Sequence, residues 1–376
     1  MKIGIISAGQ HIYSTRRLVE AAEERGHEWK VFDARECALH IEQLNPKIYY
    51  RNEELDRFDA IIPRIASNSA HQSISVLRQL ELQGIYCINN SAAVSIASDK
   101  LRTLQILSKR NIGIPLSGFV YQKTDAASAI KRAGGAPVIV KLLDGTEGKG
   151  VILAESNKTA LAIIETLKLA KRQTLIQNFV SESKGADIRA FVVGDSVIAS
   201  MKRKAKEGEF RSNVHRGGST ELCQLSEEYE QTALRAAKIV GLGVAGVDML
   251  ETSKGPQVME VNASPGLEGI EKCTGINIAG KIIEHIEEQR HFPDLDLNER
   301  LSLSKGFVIC EIPVIQDTGF IGESIADQNF EQQEIQVLSI ERQEHVIPNP
   351  PDDFQLLEGD VMLCYGKKAA IRALMT

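Results

Sequence analysis

The chain has 376 residues, enough for two or three domains. With 43% hydrophobic and 25% charged residues it has the composition of an ordinary soluble globular protein, and a net charge of −6 gives no basic field for nucleic acid. No apolar run approaches the ~18 residues of a membrane span, and "MKIGIIS" passes straight into polar sequence, so neither a membrane segment nor a signal peptide is expected. Cys37, Cys87, Cys223, Cys273, Cys310 and Cys364 are scattered without CxxC or His-Cys spacing, which fits reduced thiols in the cytoplasm.

The first ninety residues alternate strand and helix. "KIGIIS" (2–7) reads as a strand, 14–25 as an amphipathic helix ending at Gly26, and "WKVFD" (29–33) as a second strand. "DAIIPRI" (59–65) and "GIYCINN" (84–90) follow as strands around a helix at 70–83, which implies βαβ units and a small parallel sheet. One helix over 92–110 is expected next, ended by Pro115 in "NIGIP".

Beyond 115 the pattern changes. Strands 137–143 and 151–155 flank "DGTEGKG", a helix at 158–171 leads to "TLIQNFV" (174–180), and "DIRAFVVG" and "SVIASMKRK" precede a helix at 227–240. A helix at 277–290 closes this region; 291–304 is polar and reads as a linker, and 305–376 as a separate β-rich domain ending in a helix. No internal repeat or low-complexity segment is visible.

The loop "DGTEGKGV" (144–151) opens no helix with a Lys-Ser/Thr pair, so it is no Walker loop, and a strand follows it, unlike a dinucleotide fingerprint. Between antiparallel strands, Gly145, Gly148 and Gly150 allow a flap whose N–H groups bind phosphates; read alone, the loop is equally a flexible hairpin. Lys141 alternates with Val140 and Leu142 in a strand that otherwise reads as core, and a charge there needs a partner. Lys100 sits near a helix start, where exposure is the ordinary reading; a nucleotide phosphate would give both lysines one reason.

"KRKAKEGEFRSNVHRGG" (202–218) carries Lys202, Arg203, Lys204, Lys206, Arg211 and Arg216. A solvated loop is one reading; the other has Arg203 and Arg211 gripping phosphates or carboxylates with their guanidinium forks. Only Phe210 interleaves with the charges, which disfavours a nucleic-acid platform.

"VAGVDMLE" (244–251) and "VMEVN" (258–262) flank the turn "TSKGP". Folded about Lys254, this hairpin sets Asp248 across from Glu260, about 5 Å apart, with Val258, Glu260 and Asn262 on one face. Two carboxylates so close call for a cation, and oxygen-only ligands suit a hard one such as magnesium. Incidental acids on a solvated sheet face are the alternative.

In this order, the glycine loop between strands, "IQNFV", "DIRAFVVG", "EFRSNVHRGG", "VAGVDML" and "VMEVNASPGLEGIE" resemble an ATP-grasp ligase, most closely the RimK family of α-L-glutamate ligases, from residue 1 to about 290. The resemblance implies an α/β (α+β) protein: a pre-ATP-grasp α/β domain at 1–95, an ATP-grasp domain at 96–290 with its lid at about 115–185, and the linker and final domain already delimited. It implies ATP as cosubstrate, with Lys100 and Lys141 on its phosphates under the 144–150 loop. Gln177, Asn178, Phe179 and Val180 would clasp the adenine, Asp187 would face the ribose, and Arg211, Ser212 and Asn213 the triphosphate. Asp248, Glu260 and Asn262 would hold two magnesium or manganese ions, and Arg189 and Arg203 would act on the reacting carboxylate or acyl phosphate. His215 is assigned either to the incoming amine or to structure.

The implied reaction phosphorylates a carboxylate and passes it to an amine, releasing ADP and phosphate. The amine would be L-glutamate, and the acceptor the C-terminal carboxylate of a small-subunit ribosomal protein or a glutamate oligomer. An amino-group carrier protein or coenzyme as acceptor, or a non-catalytic nucleotide sensor, are the competing readings. Asn178 stands where relatives often carry an acid. The segment 322–374 resembles the TrkA-C module, through "IER", "IPNP" and "LLEGDVMLCYG", implying a β-rich regulatory unit that pairs copies into a homo-oligomer and binds a small effector, a cyclic dinucleotide among the candidates.

Overall fold

The computed structural model describes residues 1–65, 70–143, 150–183, 185–206, 209–211, 218–289, 306–316, 319–343 and 345–374. The chain forms two compact units, Met1–Pro293 and Asp294–Thr376. The expected linker at 291–304 lies outside the described residues.

In the first unit, β1 (Lys2–Ile6), β2 (Glu28–Phe32), β6 (Ala60–Pro63) and β7 (Tyr86–Cys87) form the anticipated parallel sheet in the order β2-β1-β6-β7. Parallel sheets are buried on both faces. Here Ile3 and Ile5 pack toward α1 (Tyr13–Glu24) and α9 (Ile278–Gln289), while Ile6, Phe32 and Ile61 pack toward α2 (Ala70–Leu82). The expected strand 84–90 is reduced to Tyr86–Cys87. Between β2 and β6 lies a small antiparallel sheet that the sequence reading missed: β3 (Cys37–His40), β4 (Lys47–Tyr50) and β5 (Glu53–Glu54).

The single helix expected over 92–110 is two helices, α3 (Ser91–Ser98) and α4 (Lys100–Lys109). Asp99 breaks it: its backbone is extended (φ −102°, ψ 99°), and its side chain accepts from the N–H of Arg102 as the cap of α4. Lys100 thereby becomes the first residue of a new helix instead of a mid-helix position.

A second, antiparallel sheet has the order β10-β9-β11-β8, from β8 (Ser117–Phe119), β9 (Val138–Leu142), β10 (Val151–Ala154) and β11 (Thr174–Asn178). Val138, Val140 and Ile176 bury one face against α5 (Ala126–Arg132) and α6 (Asn157–Leu169). Ile139, Lys141, Leu175 and Gln177 are left on the other face.

The largest sheet has the order β14-β13-β12-β15-β16, from β12 (Ala186–Val193), β13 (Ser196–Lys204), β14 (Ser219–Leu222), β15 (Val244–Thr252) and β16 (Gly255–Asn262). Ile188, Ala190, Val192, Val247 and Val261 pack on α7 (Glu227–Val240). On the opposite face Phe191, Val193, Ala199 and Met201 join the core containing α9. A short helix α8 (Glu268–Thr274), also unanticipated, follows β16.

The second unit is an antiparallel sheet in the order β17-β20-β18-β19, from β17 (Phe307–Pro313), β18 (Ile335–Arg342), β19 (His345–Pro348) and β20 (Val361–Lys367), with a helix at Lys368–Leu374. Ile312, Ile340, Met362 and Ile371 share its core. The Arg342 guanidinium donates to both oxygens of buried Asp360, at 2.8 and 2.7 Å, tying β18 to the turn before β20.

Asp99→Ala should remove the α4 cap and lower the unfolding free energy by about 1 kcal/mol, read by urea denaturation.

Candidate active site

The charged residues of the large sheet form a row across its strands. Asp187 of β12 lies opposite Arg203 of β13, Arg189 of β12 opposite Asp248 of β15, and Asp248 opposite Glu260 of β16. Cross-strand partners share one face, so alternating signs meet directly. Arg189 grips Asp248 with a two-pronged pair, both contacts at 2.7 Å. Arg203 donates to Asp187 at 2.6 Å and lies 2.9 Å from Asp248 Oδ2. Asp187, Arg203 and Asp248 are 3%, 4% and 2% exposed. Burial alone would raise the Asp248 pKa, but the charges and hydrogen bonds of Arg189 and Arg203 bring it down to about 2. Arg203 is likewise held charged: Asp248 and Asp187 outweigh its burial.

The hairpin reaches this pairing by a route the sequence reading did not foresee. Thr252 pairs with Gly255, so the turn is the two residues Ser253–Lys254 and its centre precedes Lys254. A regular ladder from that turn would set Asp248 opposite Met259. A bulge at Met259 shifts the register by one residue and brings Glu260 across instead. The bulge also corrects the expected face of Val258: it is fully buried with Val261 in the α7 core, not beside Glu260 and Asn262.

Lys100, at the start of α4, brings its ammonium to 3.5 Å from Glu260 Oε1. Asn262 Nδ2 donates to Gly246 O at 3.4 Å. Asp248, Glu260 and Asn262 therefore offer oxygen atoms from two adjacent strands, a donor set that fits a hard cation and suits no soft one. Among the described residues no group of three or more His, Cys, Asp or Glu side chains comes together for a metal, so any site here depends on Asn262 and on ligand oxygens.

Facing this row across the cleft is the side of the β9–β11 sheet that carries Ile139, Lys141, Leu175 and Gln177. Lys141, Gln177, Asp187, Arg203, Asp248 and Glu260 line one pocket. Burial pushes the Lys141 ammonium down to about 8, aided by the charge of Lys100 and partly offset by Glu260 and Asp248. Gln177 Nε2 donates to Ser117 Oγ at 2.8 Å, and the N–H groups of Asn178 and Phe179 donate to Leu116 O and Pro137 O. Asn178 Oδ1, by contrast, is buried with no hydrogen-bond partner among the described residues. Phe179 and Val180 complete this end of the pocket.

β9 and β10 pair antiparallel with Lys141 opposite Val151, as a flap requires. Gly150 has φ +76°, and a methyl group there would lie 2.7 Å from Leu142 Cδ1, so the strand entry demands glycine. Arg211 reaches the same strand from the other lobe, donating to Val151 O at 3.4 Å while Glu209 holds it at 2.7 Å. Gly145, Gly148, Ser212, Asn213, His215 and Arg216 lie outside the described residues.

The RimK-like ATP-grasp domain matches residues 97–286, the RimK PreATP-grasp domain residues 1–94, and the TrkA-C domain residues 309–376. The chain belongs to the RimK-like ATP-grasp family. It is an ADP-forming ligase. A probable alpha-L-glutamate ligase of Rhodopirellula baltica is 49% identical over 375 residues, 100% of this chain and 93% of that one. Another, of Pseudoalteromonas translucida, is 54% identical over 288 residues, 77% of this chain and 96% of that one. Among solved structures, the ATP-grasp ligase PsnB complexed with minimal precursor superposes with a TM-score of 0.61 at 22% identity, covering 77% of this chain and 98% of PsnB. The RimK domain protein ATP-grasp of Sphaerobacter thermophilus gives 0.58 at 22%, covering 76% and 100%. These likenesses establish the ATP-grasp fold. Among the described residues, no helix is long and apolar enough to cross a membrane.

Sequence reasoning missed the Met259 bulge and the role of Asp99. The first was available from the turn: Ser253–Lys254 followed by Gly255 is a two-residue hairpin turn, and only a bulge then reconciles Asp248 with Glu260. It also passed over Arg64, which joins the end of β6 to the loop after β16.

Because the folded-state pKa of Lys141 lies below its ordinary value, the folded chain binds fewer protons than the unfolded chain between about pH 8 and 10.5. Stability from this group is therefore depressed at neutral pH and recovers as pH rises through that window. Lys141→Met should raise the unfolding temperature of the ligand-free protein at pH 7, and the gain should shrink toward pH 10.5. A gain independent of pH in thermal denaturation would contradict the assignment.

Proposed function

We propose that the protein joins the amine of L-glutamate to the C-terminal carboxylate of a protein or peptide, activating that carboxylate with ATP as an acyl phosphate. The carrying observation is that buried Asp187, Arg203 and Asp248 line one pocket with Lys141, Arg189 holding Asp248 from the next strand. Relatives named probable alpha-L-glutamate ligases support glutamate as the amine. Solved neighbours carrying precursor peptides support a peptide acceptor; a small-subunit ribosomal protein or a glutamate oligomer is the form proposed here.

ATP fits the pocket. Its adenine would lie against Gln177, Asn178, Phe179 and Val180, the segment at the end of β11. Asp187 stands on the ribose side. Lys100, Lys141 and Arg211 would neutralise the phosphates, Ser212, Asn213 and the N–H groups of the glycine loop would donate to them, and the loop would keep water from the activated acyl group. Asp248, Glu260 and Asn262 would hold two magnesium or manganese ions, which when bound draw charge from the transferring phosphoryl group. Arg189 and Arg203, fixed by Asp248 and Asp187, present positive charge where the acyl phosphate and the tetrahedral adduct gather negative charge. The glutamate nitrogen, its ammonium proton lost to solvent, then bonds to the acyl carbon, and the adduct collapses by breaking the C–O bond to phosphate as the departing phosphate takes up the second N–H proton. The final unit pairs two copies and binds a small effector, and the protein acts in the cytoplasm.

Glu260→Gln is the clean test of the metal set, because Asp248→Asn would also remove the carboxylate that Arg189 grips and that buried Arg203 shares with Asp187. Glu260→Gln should keep the wild-type unfolding temperature and lose about 100-fold or more in turnover; normal rates at saturating magnesium would rule the set out. Incubation with ATP, glutamate and peptide acceptors should yield ADP, phosphate and products heavier by whole glutamyl residues, with hydroxylamine trapping the acyl phosphate as a hydroxamate. Stoichiometric AMP would overturn the mechanism. Truncation after residue 293 should leave amide synthesis in place and change the oligomeric state on sizing; a folded truncation unable to bind ATP would place the last unit in the active site.

A further inference from the structure

The incoming amine of the proposed reaction carries two carboxylates that do not react, and each needs a cation. Most cations at the cleft are committed: Arg189 and Arg203 hold Asp248 and Asp187, Lys100 faces Glu260, and Arg211 is held by Glu209. Arg64 is different. It follows β6 at the carboxyl edge of the parallel sheet, the edge at which open α/β sheets receive ligands. Its Nη2 donates to Ser264 O at 3.2 Å and Pro265 O at 2.6 Å, and among the described residues its hydrogen-bond partners are these backbone carbonyls, with no carboxylate. Burial pushes its pKa down to about 10, and no neighbouring charge offsets that cost.

The loop it grips is fastened to the reaction centre. Ser264 and Pro265 come directly after Ala263 and Asn262, and Ser264 Oγ accepts from Ile65 N–H and donates to Pro63 O. A methyl group on Gly246 would lie 2.7 Å from Pro265 Cβ and 3.8 Å from Arg189 Nε, so Pro265 fills the space beside the arginine that holds Asp248. A guanidinium carries five donors in a planar fork, and backbone carbonyls use one arm of this one.

We propose that Arg64 is a specificity residue that binds a non-reacting carboxylate of the incoming amino acid, presented to the acyl phosphate beside Arg189. The assignment rests on the glutamate-ligase reading. It makes the pre-ATP-grasp sheet part of the amine site: the ATP-grasp lobes activate the acceptor, and β6 selects the amine. A strut that merely ties β6 to the loop would affect every amine alike.

Hydroxylamine attacks an acyl phosphate and has no carboxylate, so it separates the two roles. With saturating ATP and acceptor, the ratio of glutamate-dependent to hydroxylamine-dependent product should fall on the order of 10- to 100-fold in R64Q, through KM for glutamate, the loss of one charge-assisted contact. R64K, which keeps the charge, should recover part of it. Glutamine and isoglutamine tell the two carboxylates apart: the amine lacking the engaged group should show no further loss in R64Q. An unchanged ratio, or equal loss with both amides, overturns the role of Arg64 while leaving the ligase reading intact. A wild-type protein that forms hydroxamate but no glutamyl amide overturns the glutamate assignment and this one with it.

Discussion

One buried carboxylate governs the arrangement of the site. Asp248 is 2% exposed and ionised, a state that burial opposes and that two guanidinium groups restore. Removing a partner from such a pair costs about 3–5 kcal/mol, because the remaining charge stays in the interior without compensation. Arg189 and Arg203 reach Asp248 from different strands, so the pair fixes β12, β13 and β15 against one another. The charged groups are thereby held in place before any substrate arrives, the condition under which fixed charges stabilise a transition state without reorganising.

The polar groups of the first unit divide into two kinds. Some are satisfied: Asp99 caps α4, and at the cleft Gln177 bonds Ser117 and Arg203 bonds Asp187. Others carry a cost that the folded chain alone does not remove. Lys141 is pushed toward neutrality, Asn178 Oδ1 has no partner among the described residues, and Arg64 has carbonyls where a carboxylate would serve better. Buried polar groups are ordinarily paired. Leaving Lys141 and Arg64 without a compensating carboxylate is how a chain stores affinity for a ligand at the expense of its own stability.

How far the sequence could be read follows from which signals were local. The period of two in "DIRAFVVG" and "VAGVDML" places Asp187, Arg189 and Asp248 on a face opposite the α7 core, because alternation is a property of each strand alone. The helix at 227–240 is legible for the same reason, its alanines repeating at helical spacing and Gly241 ending it. Elements set by a single side chain were not. Asp99 breaks a helix whose apolar period runs on across it, and a bulge at Met259 leaves no mark on alternation except that Val258 and Val261 are both apolar. The β3–β5 sheet is short and partly exposed, so its pattern is weak. Arg64 was passed over because it follows an apolar strand, and only the pairing of β6 with the loop after β16 reveals its surroundings.

The same alternation carries the fold and the chemistry, and this is what secures the register. Along one face of β12 run Asp187, Arg189, Phe191 and Val193, the first two in the charged row and the last two in the core that includes α9. On the other face Ile188, Ala190 and Val192 press on α7. A slip of one residue would drive Asp187 and Arg189 into the α7 core and turn Phe191 away from its own, since every side chain changes face together. Register shifts within this sheet are penalised twice, by lost apolar burial at one end of the strand and by unpaired buried charge at the other. The hairpin solves the remaining problem locally: its two-residue turn sets one register, the Met259 bulge changes it, and Glu260 arrives opposite Asp248 without moving Val258 or Val261 out of the core. An acidic pair can therefore be built at the sheet's end while the apolar contacts that determine strand order stay where the fold needs them.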